Sequence, residues 1–279
     1  MQRKTFLQTL AAATGAGVLT GLYTWQVEPF WLEFVRVQMP IRQLPEALVG
    51  KTLMQISDMH VGNRFDRKYL IESMQKAQQL APDFVVYTGD FVNYESPEQF
   101  AQLEEVMAHA VHGTLGTAGV LGNHDYGLDW KEEAVADRVT DILSARGIRM
   151  LRNEQIDVHG LSIIGLDDWW ATNFKPELVL QSLPQNKPQL VLCHNPDVAD
   201  LPIWNGYQGW ILSGHTHGGQ CKAPFLRPPL LPVRNKKYVA GQVDLGDGRT
   251  LYINRALGHL IQVRFNVRPE ITLFELVKG

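Results

Sequence analysis

Short apolar runs that each end in Asp, Asn or His constrain the fold of this chain most strongly. The clearest run is Phe84 to Thr88, which is followed by Gly89 and Asp90. An unbroken series of apolar and β-branched residues predicts a strand that is buried on both faces, as in a parallel sheet. A carboxylate at the end of such a strand is costly to bury unless it is paired or bound to a metal.

The neighbouring predicted strands end in the same way. The residues concerned are Asp58-Met59-His60 after residues 52–57, and Gly122-Asn123-His124-Asp125 after residues 118–121. Asp58, Asp90 and Asn123 are 32 and 33 residues apart, which is about one βα unit each. We therefore expect them at the tips of neighbouring strands, where α/β proteins place their ligand sites.

Two later apolar runs end in histidines. His194 follows residues 189–193, and the turn Gly214-His215-Thr216-His217-Gly218-Gly219 follows residues 210–213. Two histidines at i and i+2 project to the same side of an extended turn. Between the early and late runs, short predicted strands over residues 149–166 favour a second, more antiparallel sheet.

The N-terminal segment, residues 1–27, predicts a signal or membrane anchor. Arg3 and Lys4 precede a run from Thr5 to Val27 that contains no charged residue. A positive segment before an apolar one is typical of export signals and anchors, and residues 3–8 resemble a twin-arginine signal with Lys in place of the second Arg. We favour a retained anchor over a cleaved signal, with a buried helix as the alternative. The positive end stays cytoplasmic, so the rest of the chain lies outside.

The remaining chain divides into a linker with an entry strand, residues 28–50, and one domain, residues 51–279. Of the 279 residues, 45% are apolar, which is enough for a sizeable core. The formal net charge is −3 and no basic stripe is present, so we expect no nucleic-acid partner. Cys193 and Cys221 allow at most one bridge, and whether they pair stays open. No obligate protein partner is predicted.

Two segments have alternative interpretations. Residues 222–238 are rich in proline and mix apolar with basic residues, which is typical of a loop. This loop either overhangs the site or is an inert surface loop. Residues 167–170, Asp-Asp-Trp-Trp, form either a substrate wall or a capped loop with core aromatics.

Collected in order, these motifs resemble those of the calcineurin-like metallophosphoesterases and cover about 160 residues. The N-terminus and the turn from Gly214 to Gln220 are similar to the exported or membrane-anchored bacterial branch of that family, the YkuE-like branch. The resemblance implies an α/β fold that is a four-layer αββα sandwich, with two mixed β-sheets flanked by helices and the metals at the strand ends.

The resemblance also implies a site for two divalent metal ions. It assigns Asp58, His60 and His217 to one metal, Asn123, His194 and His215 to the second, and Asp90 to both. Two such ions can share a hydroxide and neutralise phosphoryl oxygens. Nitrogen and oxygen ligands without thiolate fit manganese, iron or zinc.

The same resemblance gives catalytic roles to two further residues. His124 would bind phosphate and protonate the leaving oxygen, and Asp125 would orient His124 and raise its pKa. The implied activity is hydrolysis of phosphodiesters at the cell envelope by a metal-activated hydroxide. The substrate would be a lipid-linked or nucleotide-sugar-lipid phosphoester. The alternatives are a phosphomonoesterase, a nuclease, and a non-catalytic metal-binding module.

Overall fold

A computed structural model describes residues 3–181, 183–184 and 186–279 of the chain. The helices are α1 (Arg3–Leu22), α2 (Arg67–Gln78), α3 (Glu98–Met107), α4 (Glu133–Ala145) and α5 (Glu177–Leu180). The strands are β1 (Glu33–Ile41), β2 (Thr52–Ile56), β3 (Phe84–Thr88), β4 (Gly116–Val120), β5 (Arg149–Met150), β6 (Glu154–Val158), β7 (Leu161–Gly165), β8 (Gln189–Leu192), β9 (Trp210–Ser213), β10 (Gly241–Asp244), β11 (Thr250–Ile253) and β12 (Glu270–Lys278).

The first sheet contains six strands within the described residues, in the order β1-β12-β2-β3-β4-β5. The strands β2, β3, β4 and β5 are parallel to one another, whereas β12 is antiparallel to β2 and parallel to β1. Because β2, β3 and β4 are parallel neighbours, their carboxyl ends meet at one edge. The predicted placement of Asp58, Asp90 and Asn123 at neighbouring strand ends is therefore confirmed.

The second sheet also contains six strands in the described part of the chain, in the order β10-β11-β9-β8-β7-β6. Its pairs β6–β7 and β10–β11 are antiparallel, but its three central pairs are parallel. The second sheet is more antiparallel than the first, as the short strands over residues 149–166 predicted, but the placement of one of those strands is wrong. Strand β5 joins the first sheet, where Arg149 pairs with Ala118. Strand β7 is parallel to β8, so both sheets are mixed.

Side-chain alternation along the central strands produces the predicted four layers. In β3, Phe84 and Val86 point into the core between the sheets, while Val85 and Tyr87 pack against the α2–α4 side. In β9, Trp210 and Leu212 point into the same central core. The outer layer of the second sheet consists of α5, short 3₁₀ turns and aromatic loops rather than long helices. The α/β sandwich of two mixed sheets is confirmed.

The N-terminal helix α1 is long and apolar enough to cross a membrane, and none of its apolar window is buried. The alternative of a buried N-terminal helix is therefore wrong. The strand predicted within residues 28–50 is β1, which pairs with β12 from Glu33 to Ile41 and belongs to the first sheet. The domain boundary near residue 51 stays a prediction, as does the choice between signal and anchor.

We predict that removing residues 1–22 leaves the domain folded, because none of the described side chains of α1 belongs to a buried hydrophobic cluster of the domain. The thermal unfolding midpoint should change by less than about 2 °C. Differential scanning calorimetry of the two proteins in the same detergent measures this. Loss of the cooperative transition in the shortened chain would show that α1 supports the fold.

Candidate metal centre

The polar residues at the strand ends of both sheets come together at one edge of the sandwich. They are Asp58 and His60 after β2, Asp90 after β3, Asn123 and His124 after β4, His194 after β8, and His215 and His217 after β9. All of them except His124 are buried. The structure therefore brings every predicted ligand into one place.

A first cluster is formed by Asp58, His60 and His217, whose ligand atoms lie within 4.8 Å of one another. The Nε2 atoms of His60 and His217 are 3.0 Å apart. The Nε2 atom of His217 is 3.3 Å from Asp58 Oδ1. The other ring nitrogen of each histidine, Nδ1, has no hydrogen-bond partner among the described residues.

A second cluster contains Asp90, His194 and His215. The Nε2 atom of His194 is 3.0 Å from Asp90 Oδ2 and 3.1 Å from His215 Nδ1. Asn123 is buried near them in the same cavity, and neither polar atom of its amide has a partner in the described part of the chain. A buried amide without partners is costly, so Asn123 fits a ligand better than a packing role.

Asp90 lies between the two clusters. Its Oδ2 atom is 3.0 Å from His194 Nε2 and 3.6 Å from His60 Nε2. Its Oδ1 atom instead accepts a hydrogen bond from the backbone N–H of His124 at 2.9 Å. One oxygen thus faces both clusters, while the other is held by the backbone.

The hydrogen bonds of the second cluster fix which ring nitrogens carry lone pairs. His194 Nδ1 lies 2.8 Å from the carbonyl oxygen of Thr88, and His215 Nε2 lies 2.9 Å from that of Pro232. A carbonyl only accepts, so these nitrogens donate, and in the neutral rings the lone pairs are on His194 Nε2 and His215 Nδ1. These lone pairs face each other and the Asp90 carboxylate. The second cluster is therefore suited to bind one cation, and the two clusters together are suited to bind two cations.

The electrostatics of the buried groups agree with cation binding. Burial opposes ionisation of Asp58, but the nearby His194 and His217 outweigh it and lower the pKa of Asp58 to about 2. Burial, and then the charge of His194, lowers the pKa of His215 to about 3. Burial also lowers the pKa of His194, yet Asp90 and Asp58 raise it well above its usual value. The carboxylates therefore favour a positive charge between them.

The backbone at the site is held in an uncommon conformation. Five of the predicted ligands have positive φ angles: Asp58 (53°), His60 (48°), Asp90 (53°), His215 (70°) and His217 (51°). Such conformations cost about 1–3 kcal/mol each and cluster at functional sites. The fold supports them with backbone hydrogen bonds, including Asp58 N–H to the Gly89 carbonyl and His60 N–H to the Asp90 carbonyl.

Close approach explains two of the motif glycines. A Cβ atom on Gly122 would collide with the Asp90 carboxylate. A Cβ atom on Gly214 would collide with the side chains of Ser57 and Asp58. The carboxylate of Asp58 also accepts from the His215 N–H, so the Gly214 turn packs directly onto the first cluster.

The position of Asp125 differs from the expectation. Its Oδ1 atom accepts from the N–H groups of Phe91 and Val92, and its Oδ2 atom accepts from the N–H of Gly122. Through these hydrogen bonds Asp125 connects the loop after β3 to the loop after β4. Its side chain points away from His124, because adjacent residues of a 3₁₀ turn point in different directions, and the two are not hydrogen-bonded. The expected raised pKa of His124 is also wrong, because burial lowers it.

His124 lines a cavity of about 330 Å³ that opens onto both clusters. Its ring is edge-on to Trp130 at 5.8 Å between centroids, and Trp130 stacks on Trp170 at 5.2 Å. Further apolar walls come from two segments, and Thr216, Gly219, Gln220 and Cys221 complete the lining. The apolar residues are Pro229, Leu230, Pro232, Leu260, Ile261 and Val263. None of the described residues that line the cavity is Lys or Arg.

Both segments with alternative interpretations contribute to this cavity. Pro232 of the proline-rich loop accepts a hydrogen bond from His215, so the loop overhangs the site as one alternative predicted. In the Asp-Asp-Trp-Trp segment the capped turn is confirmed, and a role as a substrate wall stays a prediction. Trp170 is part of the wall, while Asp168 accepts from the Trp170 N–H and thus caps the turn.

Sequence reasoning missed several residues of the cavity. Trp130 follows the Asn123-His124 motif by a few residues, and its aromatic type was the only signal. Residues 260–263 belong to no motif, and no sequence signal placed them near the metal centre.

Known proteins of one family are similar to this chain. A family model described as calcineurin-like phosphoesterase matches residues 51–219. The chain is 29% identical to phosphodiesterase YaeI of Escherichia coli (strain K12) over 99% of this chain and 100% of that protein. It is 30% identical to the uncharacterized metallophosphoesterase YkuE of Bacillus subtilis (strain 168), over 99% and 98%. It is 26% identical to UDP-2,3-diacylglucosamine pyrophosphatase LpxG of Chlamydia trachomatis, over 95% of each chain.

The fold, the clustered ligands and these relatives together define a metal-dependent phosphoester hydrolase. The chain belongs to the calcineurin-like phosphoesterase family, which confirms the resemblance drawn from the motifs.

We predict that Asp125→Asn destabilises the protein by about 1–3 kcal/mol, because the new amide group cannot accept from all three N–H donors. Urea unfolding measures this, with Asp141→Asn on the exposed face of α4 as the matched control. If both variants unfold at the wild-type midpoint, Asp125 does not fasten the loops.

Proposed function

We propose that this protein is a phosphodiesterase with two divalent metal ions, and that it acts on diesters with an apolar substituent at the cell envelope. The observation that carries the proposal is the apolar cavity that opens directly onto the two ligand clusters. Two adjacent cations lower the pKa of a water molecule and neutralise the oxygens of a phosphoryl group. Manganese, iron and zinc are the candidates, because the ligands are nitrogen and oxygen atoms.

Each side chain has a proposed task. Asp58, His60 and His217 would hold one ion, Asn123, His194 and His215 would hold the other, and Asp90 would contribute to both. His124 lines the cavity and is not needed by either cluster, so it is free to donate a hydrogen bond to a phosphoryl or leaving oxygen. Trp130 borders the His124 ring and restricts its movement.

The cavity walls support the choice of substrate. A second phosphate or a nucleic-acid backbone usually needs Lys or Arg close by, and the described lining residues include neither. The stacked Trp130 and Trp170 with Leu230 and Ile261 instead offer apolar surface. This composition favours a diester with an acyl or alkyl group. The name of YaeI, a phosphodiesterase, supports a diester, and the name of LpxG, a UDP-2,3-diacylglucosamine pyrophosphatase, supports acyl groups on the substrate.

The N-terminal helix supports the proposed location. Its described residues are exposed, and its length and composition suit either a signal or an anchor. With Arg3 and Lys4 on the cytoplasmic side, the catalytic domain lies outside the cytoplasmic membrane.

We predict that Asp90→Asn loses metal from both positions, because an amide cannot neutralise two cations. Elemental analysis by mass spectrometry should give two metal equivalents for the wild type and for Asp141→Asn, and less than one for Asp90→Asn. Full occupancy in the Asp90 variant would contradict the bridging role.

We predict that His124→Ala keeps both metals and loses about 10²–10⁴-fold in kcat, since proton transfer and positioning contribute that much. The loss should be greater for alkyl leaving groups than for p-nitrophenol, which leaves without protonation. His109→Ala is the matched control, because His109 is exposed. Wild-type rates with alkyl leaving groups would remove His124 from the reaction.

We predict that kcat/KM rises with chain length in a series of alkyl p-nitrophenyl phosphodiesters, by about fourfold for each buried methylene. Trp170→Ala should flatten this rise, whereas Leu178→Ala on an exposed face should not. Faster hydrolysis of p-nitrophenyl phosphate than of any diester would indicate a phosphomonoesterase. No turnover with two metals bound would indicate a non-catalytic module.

A further inference from the structure

Exposed apolar side chains lie at and beside one side of the cavity. Leu230 and Ile261 belong to its lining, whereas Phe225 and Leu226 precede Leu230 in the proline-rich loop. We call residues 225–231 together with residues 260–263 the rim. Phe225 is fully exposed, and Leu226, Leu230 and Ile261 are 63%, 79% and 68% exposed. Isolated exposed apolar residues are ordinary, but several together mark a contact surface.

The first segment of the rim, residues 225–231, lies within a strongly basic part of the chain. Residues 222–243 contain Lys222, Arg227, Arg234, Lys236 and Lys237 and no Asp or Glu, whereas the whole chain has a net charge of −3. Arg227, Lys236 and Lys237 are exposed. Apolar residues beside basic ones are the composition of surfaces that bind anionic lipid.

The structure ties the rim to the end of the N-terminal helix. The side chain of Gln220 donates to the carbonyls of Ile261 and Val263 at 3.0 Å each. The next residues hold the chain that follows α1. Gln262 donates to the Trp25 carbonyl at 2.9 Å, and the Arg264 N–H donates to the Thr24 carbonyl at 3.0 Å.

The connection to the chain after α1 indicates that the rim binds a membrane. The helix α1 is the part of the described chain that is suited to a membrane. Residues 24 and 25, directly after it, are hydrogen-bonded to residues 262 and 264, at the second segment of the rim. When α1 is in a bilayer, the rim is therefore held close to the bilayer surface. If the rim faced water instead, its apolar side chains would stay exposed to solvent although the bilayer is next to them.

We propose that the rim inserts its apolar side chains into the surface of an anionic lipid bilayer, with its basic residues at the lipid headgroups. The mouth of the cavity then faces the membrane, so the apolar part of the substrate enters from the bilayer. This step rests on the proposed envelope function, but the contact itself needs no turnover.

Fluorescence of a polarity-sensitive label tests the contact without a substrate. The full chain carries Cys221→Ser so that the remaining native thiol, Cys193, is fully buried. Phe225→Cys is labelled with a nitrobenzoxadiazole dye and reconstituted in vesicles of phosphatidylethanolamine and phosphatidylglycerol. Leu178→Cys, which is 63% exposed on α5, is the matched control.

We expect a blue-shifted emission with an intensity gain of about twofold or more for the label at 225, as for a group that leaves water for the interface. The label at 178 should not change. The gain should fall in vesicles of phosphatidylcholine alone, because the basic residues lose their anionic partners.

Three results would overturn the proposal. They are an aqueous spectrum at 225 in anionic vesicles, equal shifts at 225 and 178, and a shift that appears without vesicles as protein concentration rises. The last result would indicate a second copy of the chain as the partner. Each is independent of activity, so failure of the rim contact is distinguishable from failure of the phosphodiesterase function.

Discussion

The carboxylate of Asp90 is the interaction on which the rest of the site depends, because its two oxygens serve different parts of the fold. Oδ1 is fixed by the backbone N–H of His124, which connects the ends of β3 and β4. Oδ2 faces His60 of the first sheet and His194 of the second. Such a concentration of lone pairs and negative charge is unfavourable in a buried site without cations. The paired sheets hold these atoms in place, so the energy of folding is used to prepare a binding site.

The fold and the ligand set could be predicted from the sequence because both depend on short, regular signals. The run from Phe84 to Thr88 indicated a doubly buried strand, and the spacing from Asp58 to Asn123 indicated neighbouring parallel strands. Their side chains had to meet at one edge for topological reasons alone. Strand β5 was misplaced because two residues carry too weak a pattern to show which sheet they join.

Features that depend on backbone atoms or long-range packing could not be predicted from the sequence. The role of Asp125 is set by three N–H groups on two loops, and no residue type reveals where an N–H points. The donors of His194 and His215 are likewise fixed by the carbonyls of Thr88 and Pro232. Residues 260–263 reach the cavity only because they pack against Gln220 and the chain after α1. The apolar wall from residues 260–263, and the hydrogen bonds that tie this segment to the chain after α1, therefore came from the structure.

The role that we propose for Asp90 is to join two cations at this edge of the sandwich. Electron paramagnetic resonance of the manganese-loaded protein tests it most directly, because two manganese ions about 3.5–4 Å apart, as in two-metal sites, are magnetically coupled. If Asp90 joins two cations, the spectrum should be a coupled multiline signal at two equivalents of manganese. The spectrum of isolated ions at saturation, with one equivalent or two, would contradict it.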